Sequence, residues 1–99
     1  VPKKTKEQKR IEAENRNKVY KVARPLKEKI HKIEKKIKEE EEKVRLIEVL
    51  MASADFYKDA HNSAAKTAEY KEHKDKLSVL YAEWETESAK LKEIEDSIL

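Results

Sequence analysis

Apolar side chains recur along this chain with the period of a helix seam. Leu26, Ile30, Ile33, Ile37, Glu40, Val44, Ile47 and Met51 follow one another at alternating steps of four and three residues. Such spacing is a heptad repeat, which lays its members along one stripe of a helix and pairs that stripe with a second one. Glu40 is its one polar member. The repeat stops at Ala52 and resumes as Tyr70, His73, Leu77, Leu80, Trp84, Glu87, Leu91, Ile94 and Ile98. Two segments of matching period, joined by a short polar stretch, are expected to fold back on each other. The spacing therefore predicts an all-α fold, an antiparallel two-helix coiled-coil hairpin, with helices over 26–51 and 64–98 and a tip over 52–63. Two alignments of the heptads are open. Met51 meets Tyr70 or Lys66, Trp84 meets Ile37 or Ile33, and Leu91 meets Ile30 or Leu26. At about 1.5 Å per residue the shared arm is roughly 35–40 Å long.

Ahead of the hairpin lies a third segment, residues 1–24, a basic lead-in. Ile11, Val19 and Val22 mark one side of a helix there. Pro25 lacks a backbone N–H and disfavours helical angles at Arg24, so a break or kink is expected at this point. Ile94 and Ile98, reaching past Leu26, are expected to pack on Val19 and Val22. The tip reads ASADFYKDAHNS, rich in residues that bond nearby backbone amides and so favour turns and helix caps.

Composition supports this picture and narrows the chemistry. Of 99 residues, 45% are charged and 37% hydrophobic, with a mean hydropathy of −1.04. A chain this short and polar has little to fill a globular core, whereas a two-helix seam needs much less apolar surface. There is no glycine. Phosphate-cradling loops need glycine for their tight turn and close backbone approach, so no nucleotide-binding loop can be written. There is no cysteine either, hence no disulfide, thiolate nucleophile or thiolate-held metal. No apolar run is long enough to cross a bilayer and no signal-peptide pattern is seen, so the expected location is the cytoplasm. The chain is expected to be a piece of a larger protein.

Charge is unevenly spread. Residues 1–38 hold 15 Lys and Arg against 5 Asp and Glu, and residues 39–99 hold 9 against 16. A basic first part suggests a polyanionic partner. On a helical wheel Lys6, Lys9, Arg10, Arg16, Lys21, Arg24 and Lys27 collect away from the apolar side, a stripe able to meet successive phosphates without reading sequence. The same stripe also serves as a solvated face that keeps a coiled coil soluble. Tyr20, Phe56 and Tyr57 are the candidates for stacking on bases. For Phe56 and Tyr57 the favoured reading is instead a plug over the end of the seam. Trp84 is expected in the core. Glu40, His73 and Glu87 interrupt the seam, where a polar group sets register and orientation. His73 is read as buried at the seam margin, a pH-sensitive pairing being the alternative. No metal site is expected, because His31, His61 and His73 lack ligand spacing. No catalytic residue, cofactor or small-molecule substrate is expected, since a two-helix arm has no pocket in which to separate an acid from a base.

With the segments placed, the chain resembles the C-terminal coiled-coil domain of the bacterial ABC-F ATPases, particularly the Uup and YheS types. The residues that carry the likeness are the basic lead-in KKTKEQKR, the stretch RPLKEKIHKIEKKI that opens the second segment, the ADFYKD tip and LYAEWE in the returning helix. Ala54 stands where that family commonly has proline. The resemblance implies a parent with two nucleotide-binding domains that works on ribosomes, in translation or its quality control. It implies a tail that binds nucleic acid, either DNA or ribosomal RNA, and is not itself an enzyme. The rival expectation is a protein-interaction or structural arm that docks on a ribosomal protein or on the ATPase domains. Self-association is disfavoured, because the hairpin satisfies its own seam and a monomer results.

Overall fold

The computed structural model describes residues 5–97, and these form two long helices joined by a short tip. Helix α1 runs Lys6–Met51, a single 3₁₀ turn spans Phe56–Lys58, and α2 runs Ala60–Asp96. Among the described residues there is no strand. The molecule measures 77 × 21 × 14 Å, about the length of α1 itself at 1.5 Å per residue. It is the all-α antiparallel hairpin that the heptads predict.

Each helix start has a local cause. Thr5 sits in extended geometry ahead of α1; its hydroxyl accepts the Gln8 amide and its own N–H donates to Gln8 Oε1, at 3.1 and 3.0 Å. This reciprocal pair satisfies donors that a helix start leaves without partners. At α2 the Asp59 carboxylate accepts the amides of His61 and Asn62. That cap starts α2 four residues before the expected boundary and leaves a shorter tip, 52–59. Asn62 and Ser63, which favour turns, lie in the first turn of α2, where the Ser63 hydroxyl donates to the Ala60 carbonyl.

Pro25 gives no break. It lies inside α1, and the helix continues from the lead-in into the hairpin without interruption. Proline there withholds one amide from the ladder, but Pro25 is exposed, so water can satisfy the carbonyl left behind. The lead-in is thus the first part of the hairpin's own helix.

The seam follows the heptads closely. Ala23, Ile30, Ile33, Val44 and Ile47 of α1 and Leu77 of α2 are buried, with Leu26, Ile37, Leu80, Leu91 and Ile94 half-buried beside them. Burying an aliphatic side chain of this size stabilises by roughly 1.5–3 kcal/mol. Cross-hairpin pairs settle the alignment: Lys29 meets Glu87, Glu40 meets His73 and Glu48 meets Tyr70. They fit the alignment with Met51 across from Lys66, Ile33 from Trp84 and Leu26 from Leu91. The other alignment would leave Glu40 and His73 about 12 Å apart along the axis.

Three expectations about the core are corrected. Val22 is 57% exposed, and the buried residue of that turn is Ala23; the three-four step from Leu26 reaches Ala23 and then half-buried Val19, leaving Val22 on the flank. Ile98, its expected partner, lies outside the described residues. Trp84 stands at its seam position but is 39% exposed, because two helices cover an indole from one side only. Tyr57 does not plug the seam. It is exposed, while Phe56 is buried over the seam end with the Tyr57 ring against it edge-on, centroids 4.8 Å apart.

The tip reverses the chain without glycine. Its amides close successive tight turns, Ser53 to the Leu50 carbonyl, Phe56 to that of Ser53 and Lys58 to that of Asp55. Among the described residues none has a positive φ.

Candidate nucleic-acid interface

The lead-in part of α1 stands beyond the end of α2. Residues 6–18 are exposed apart from Ala13, and they extend the helix by roughly 20 Å past the last seam layer. Continuing the heptad backward from Val19 brings Arg16 and Glu12 to the seam side, so no apolar stripe remains for a partner helix. Ile11 is accordingly 46% exposed.

The basic residues expected on one face are all exposed on this helix. They separate into two groups by their neighbours. Arg10 pairs with Glu14 at 3.9 Å, Arg24 with Glu28 at 3.6 Å and Lys27 with Glu95 of α2 at 3.6 Å. Lys6, Lys9, Arg16 and Lys21 form no ion pair with another described residue. The three bonded pairs are surface pairs of small worth, about 0–1 kcal/mol each, and are screened by salt. They leave those cations able to exchange partners. Tyr20 lies on the same face and is 62% exposed.

The face also continues further than the seven residues named from the sequence. Steps of three and four from Lys27 lead along the outer side of α1 to His31, Lys35 and Lys38, all exposed. The missed residues belong to the hairpin proper. Helical periodicity could have found them once Pro25 was allowed inside the helix.

Of the stacking candidates, Tyr20 and Tyr57 are exposed and Phe56 is buried. Tyr57 sits at the tip, at the far end of α1 from Tyr20, so the two cannot serve one short stretch of bases. Phe56 is not free to stack.

The polar residues in the seam are held by bonds rather than left raw. Glu87 is buried across from Ile30, with the ammonium groups of Lys29 and Lys90 at 3.1 and 3.3 Å from one carboxylate oxygen. The Lys29 hydrogen bond holds its carboxyl below the usual glutamate range against the opposing effect of burial, and Lys90 helps. Glu40 lies 2.5 Å from His73 Nδ1 and also accepts from Lys43. Burial pushes that carboxyl up, but the His73 bond and the Lys43 charge outweigh it and the net shift is downward. His73 is half-buried at the seam margin, as the heptad position implies. No buried side-chain nitrogen or oxygen among the described residues lacks a partner.

Among the described residues no group of three His, Cys, Asp or Glu side chains could hold a metal ion. No described helix is long and apolar enough to cross a membrane.

Compared with known families, residues 21–89 match the model described as the ABC transporter C-terminal domain. The match begins at Lys21, within one turn of the first buried seam residue, Ala23, and covers the tip and most of α2. Comparisons with curated proteins and with solved structures return no significant match.

Proposed function

This chain belongs to the ABC transporter C-terminal domain family, and from that premise we propose that it is a non-catalytic nucleic-acid-binding module of an ABC-F type ATP-binding protein. Its ligand is DNA or ribosomal RNA, held through phosphate contacts along the exposed lead-in part of α1. The observation that carries this reading is the set Lys6, Lys9, Arg16 and Lys21, four exposed cations without an ion-pair partner among the described residues, ahead of and at the start of the seam. Phosphates supply the missing anions, and neutralising several of them at once gives affinity without sequence preference. Tyr20 offers one stacking surface within the same face. The module acts in the cytoplasm as a monomeric arm that tethers or positions its ATPase on the ribosome.

Fluorescence anisotropy with labelled duplex DNA, single-stranded DNA and an RNA hairpin, over a salt series, tests this directly. The expected result is an affinity that falls log-linearly with salt and is lost when Lys9, Arg10, Arg16 and Lys21 are all changed to glutamate. The ligand bound most tightly identifies the polyanion. Absence of binding at low salt would overturn the reading.

A further inference from the structure

Bordering the basic face at Lys38, one flank of the hairpin carries a groove of about 360 Å³, lined by Glu34, Ile37, Lys38 and Glu41 of α1 and by Tyr81 and Trp84 of α2. Three features set it apart from an ordinary coiled-coil furrow. Its floor is aromatic and open, with Trp84 39% and Tyr81 43% exposed. Its rim holds two carboxylates, Glu34 and Glu41, neither of which has a cation within ion-pair distance among the described residues, although Lys38 stands one turn from each. And the Tyr81 hydroxyl donates to Glu41, which fixes that carboxylate beside the rings. The same hydrogen bond raises the Tyr81 hydroxyl's pKa, so the phenol stays protonated and in place.

We propose that this groove docks an arginine side chain from a basic segment of a protein partner. A guanidinium is planar, stacks on an aromatic face and presents a fork of N–H donors to carboxylates. Trp84 supplies the face, and Glu34 and Glu41, lining the same groove from α1, supply the acceptors. A lysine ammonium would meet the carboxylates but could not lie flat on the indole. Charge complementarity extends outward, since residues 39–99 carry 16 acidic against 9 basic residues, and Glu85 lies one turn beyond Tyr81. Tryptophan and tyrosine are also among the side chains at which binding energy concentrates in protein interfaces. This docking does not rest on the phosphate-binding reading: apart from Lys38, which borders both surfaces, it uses other residues and selects the opposite charge.

Trp84 is the chain's single tryptophan, so the groove contains its own reporter. The experiment titrates the protein with N-acetylated, amidated octa-arginine at low salt and follows Trp84 emission. A saturable change in emission is expected, with octalysine binding about fivefold more weakly for want of stacking. The E34Q/E41Q variant, changed only at exposed residues and checked for helicity by circular dichroism, should bind octa-arginine about tenfold more weakly. Trp84→Phe, followed by anisotropy of labelled peptide, should lose about threefold. No emission change with octa-arginine, an unchanged affinity in E34Q/E41Q, or equal affinity for octalysine would each overturn the proposal. So would an emission shift that depends on protein concentration alone, because a second copy would then be the occupant.

Discussion

The two parts of α1 share one unbroken backbone and are held by different forces. From Ala23 to Met51 the helix lays an apolar stripe against α2, and burial there supplies the stability. From Lys6 to Lys18 every residue but Ala13 is exposed, and its helicity rests on the Thr5–Gln8 capping box, on Arg10–Glu14 and on continuity with the buried part. Isolated helices of this length are marginal in water, chiefly because the first turn is costly to nucleate. Here the hairpin provides the nucleus and the lead-in only propagates it. The comparison shows how a chain can carry a charged helical face with no core beneath it.

The sharpest way to break that contrast is to remove side chains from each part. Ile33→Ala should cost about 3 kcal/mol through lost burial and the cavity left behind, whereas Ile11→Ala should change global stability by less than about 0.5 kcal/mol. Thermal unfolding followed by circular dichroism reads both, and equal losses would mean that the lead-in is packed after all. Phe56→Ala comes next, at about 2–3 kcal/mol, since the tip can partly collapse over the opened seam. A Tyr57→Ala control should be close to neutral.

Acid gives a smaller effect with a defined sign. The carboxyls of Glu40 and Glu87 titrate below the usual glutamate range in the folded chain. Each therefore contributes stability that is fully present above the unfolded-state value and lost as pH falls through the lower, folded one. Melting temperature should drop on acidification through that window. Glu87→Leu should shrink the drop and raise the melting temperature at neutral pH, because an apolar side chain facing Ile30 often replaces a buried charge favourably. A melting temperature that ignores acid would argue that neither bond persists in solution. Smallest of all, Thr5→Ala should cost about 1 kcal/mol of local helix stability. It should speed amide exchange over residues 6–10 about fivefold and leave the global melting midpoint in place.

Much of this organisation is written in the residue pattern. Alternating three and four steps from Leu26 to Met51 and from Tyr70 to Ile94 predict both helices, their antiparallel pairing and the narrow choice of register. The basic face was legible as far as Lys27 because it needs only a helical wheel. What escaped the sequence has physical reasons. Pro25 signals a break by its missing amide, yet an exposed site on a strongly helical background tolerates the loss. Asp59 could be recognised as a cap, but whether it or Ser63 starts the helix depends on how Phe56 seats over the seam. Trp84 has a core position and a side chain too broad for two helices to enclose, so periodicity alone assigns it to the interior. The groove beside it is a property of two flanks brought together and is invisible to either strand of the pattern.

The passage of α1 through Pro25 has a mechanical side. A flexible linker between lead-in and hairpin would take up a pull or twist at residue 6 as slack, whereas a helix behaves as a semi-rigid spacer. With one helix running from Lys6 to Met51, displacement of the charged end swings the tip as a lever swings its far arm. Where the lead-in is anchored therefore sets the direction in which Tyr57 and the rest of the tip point.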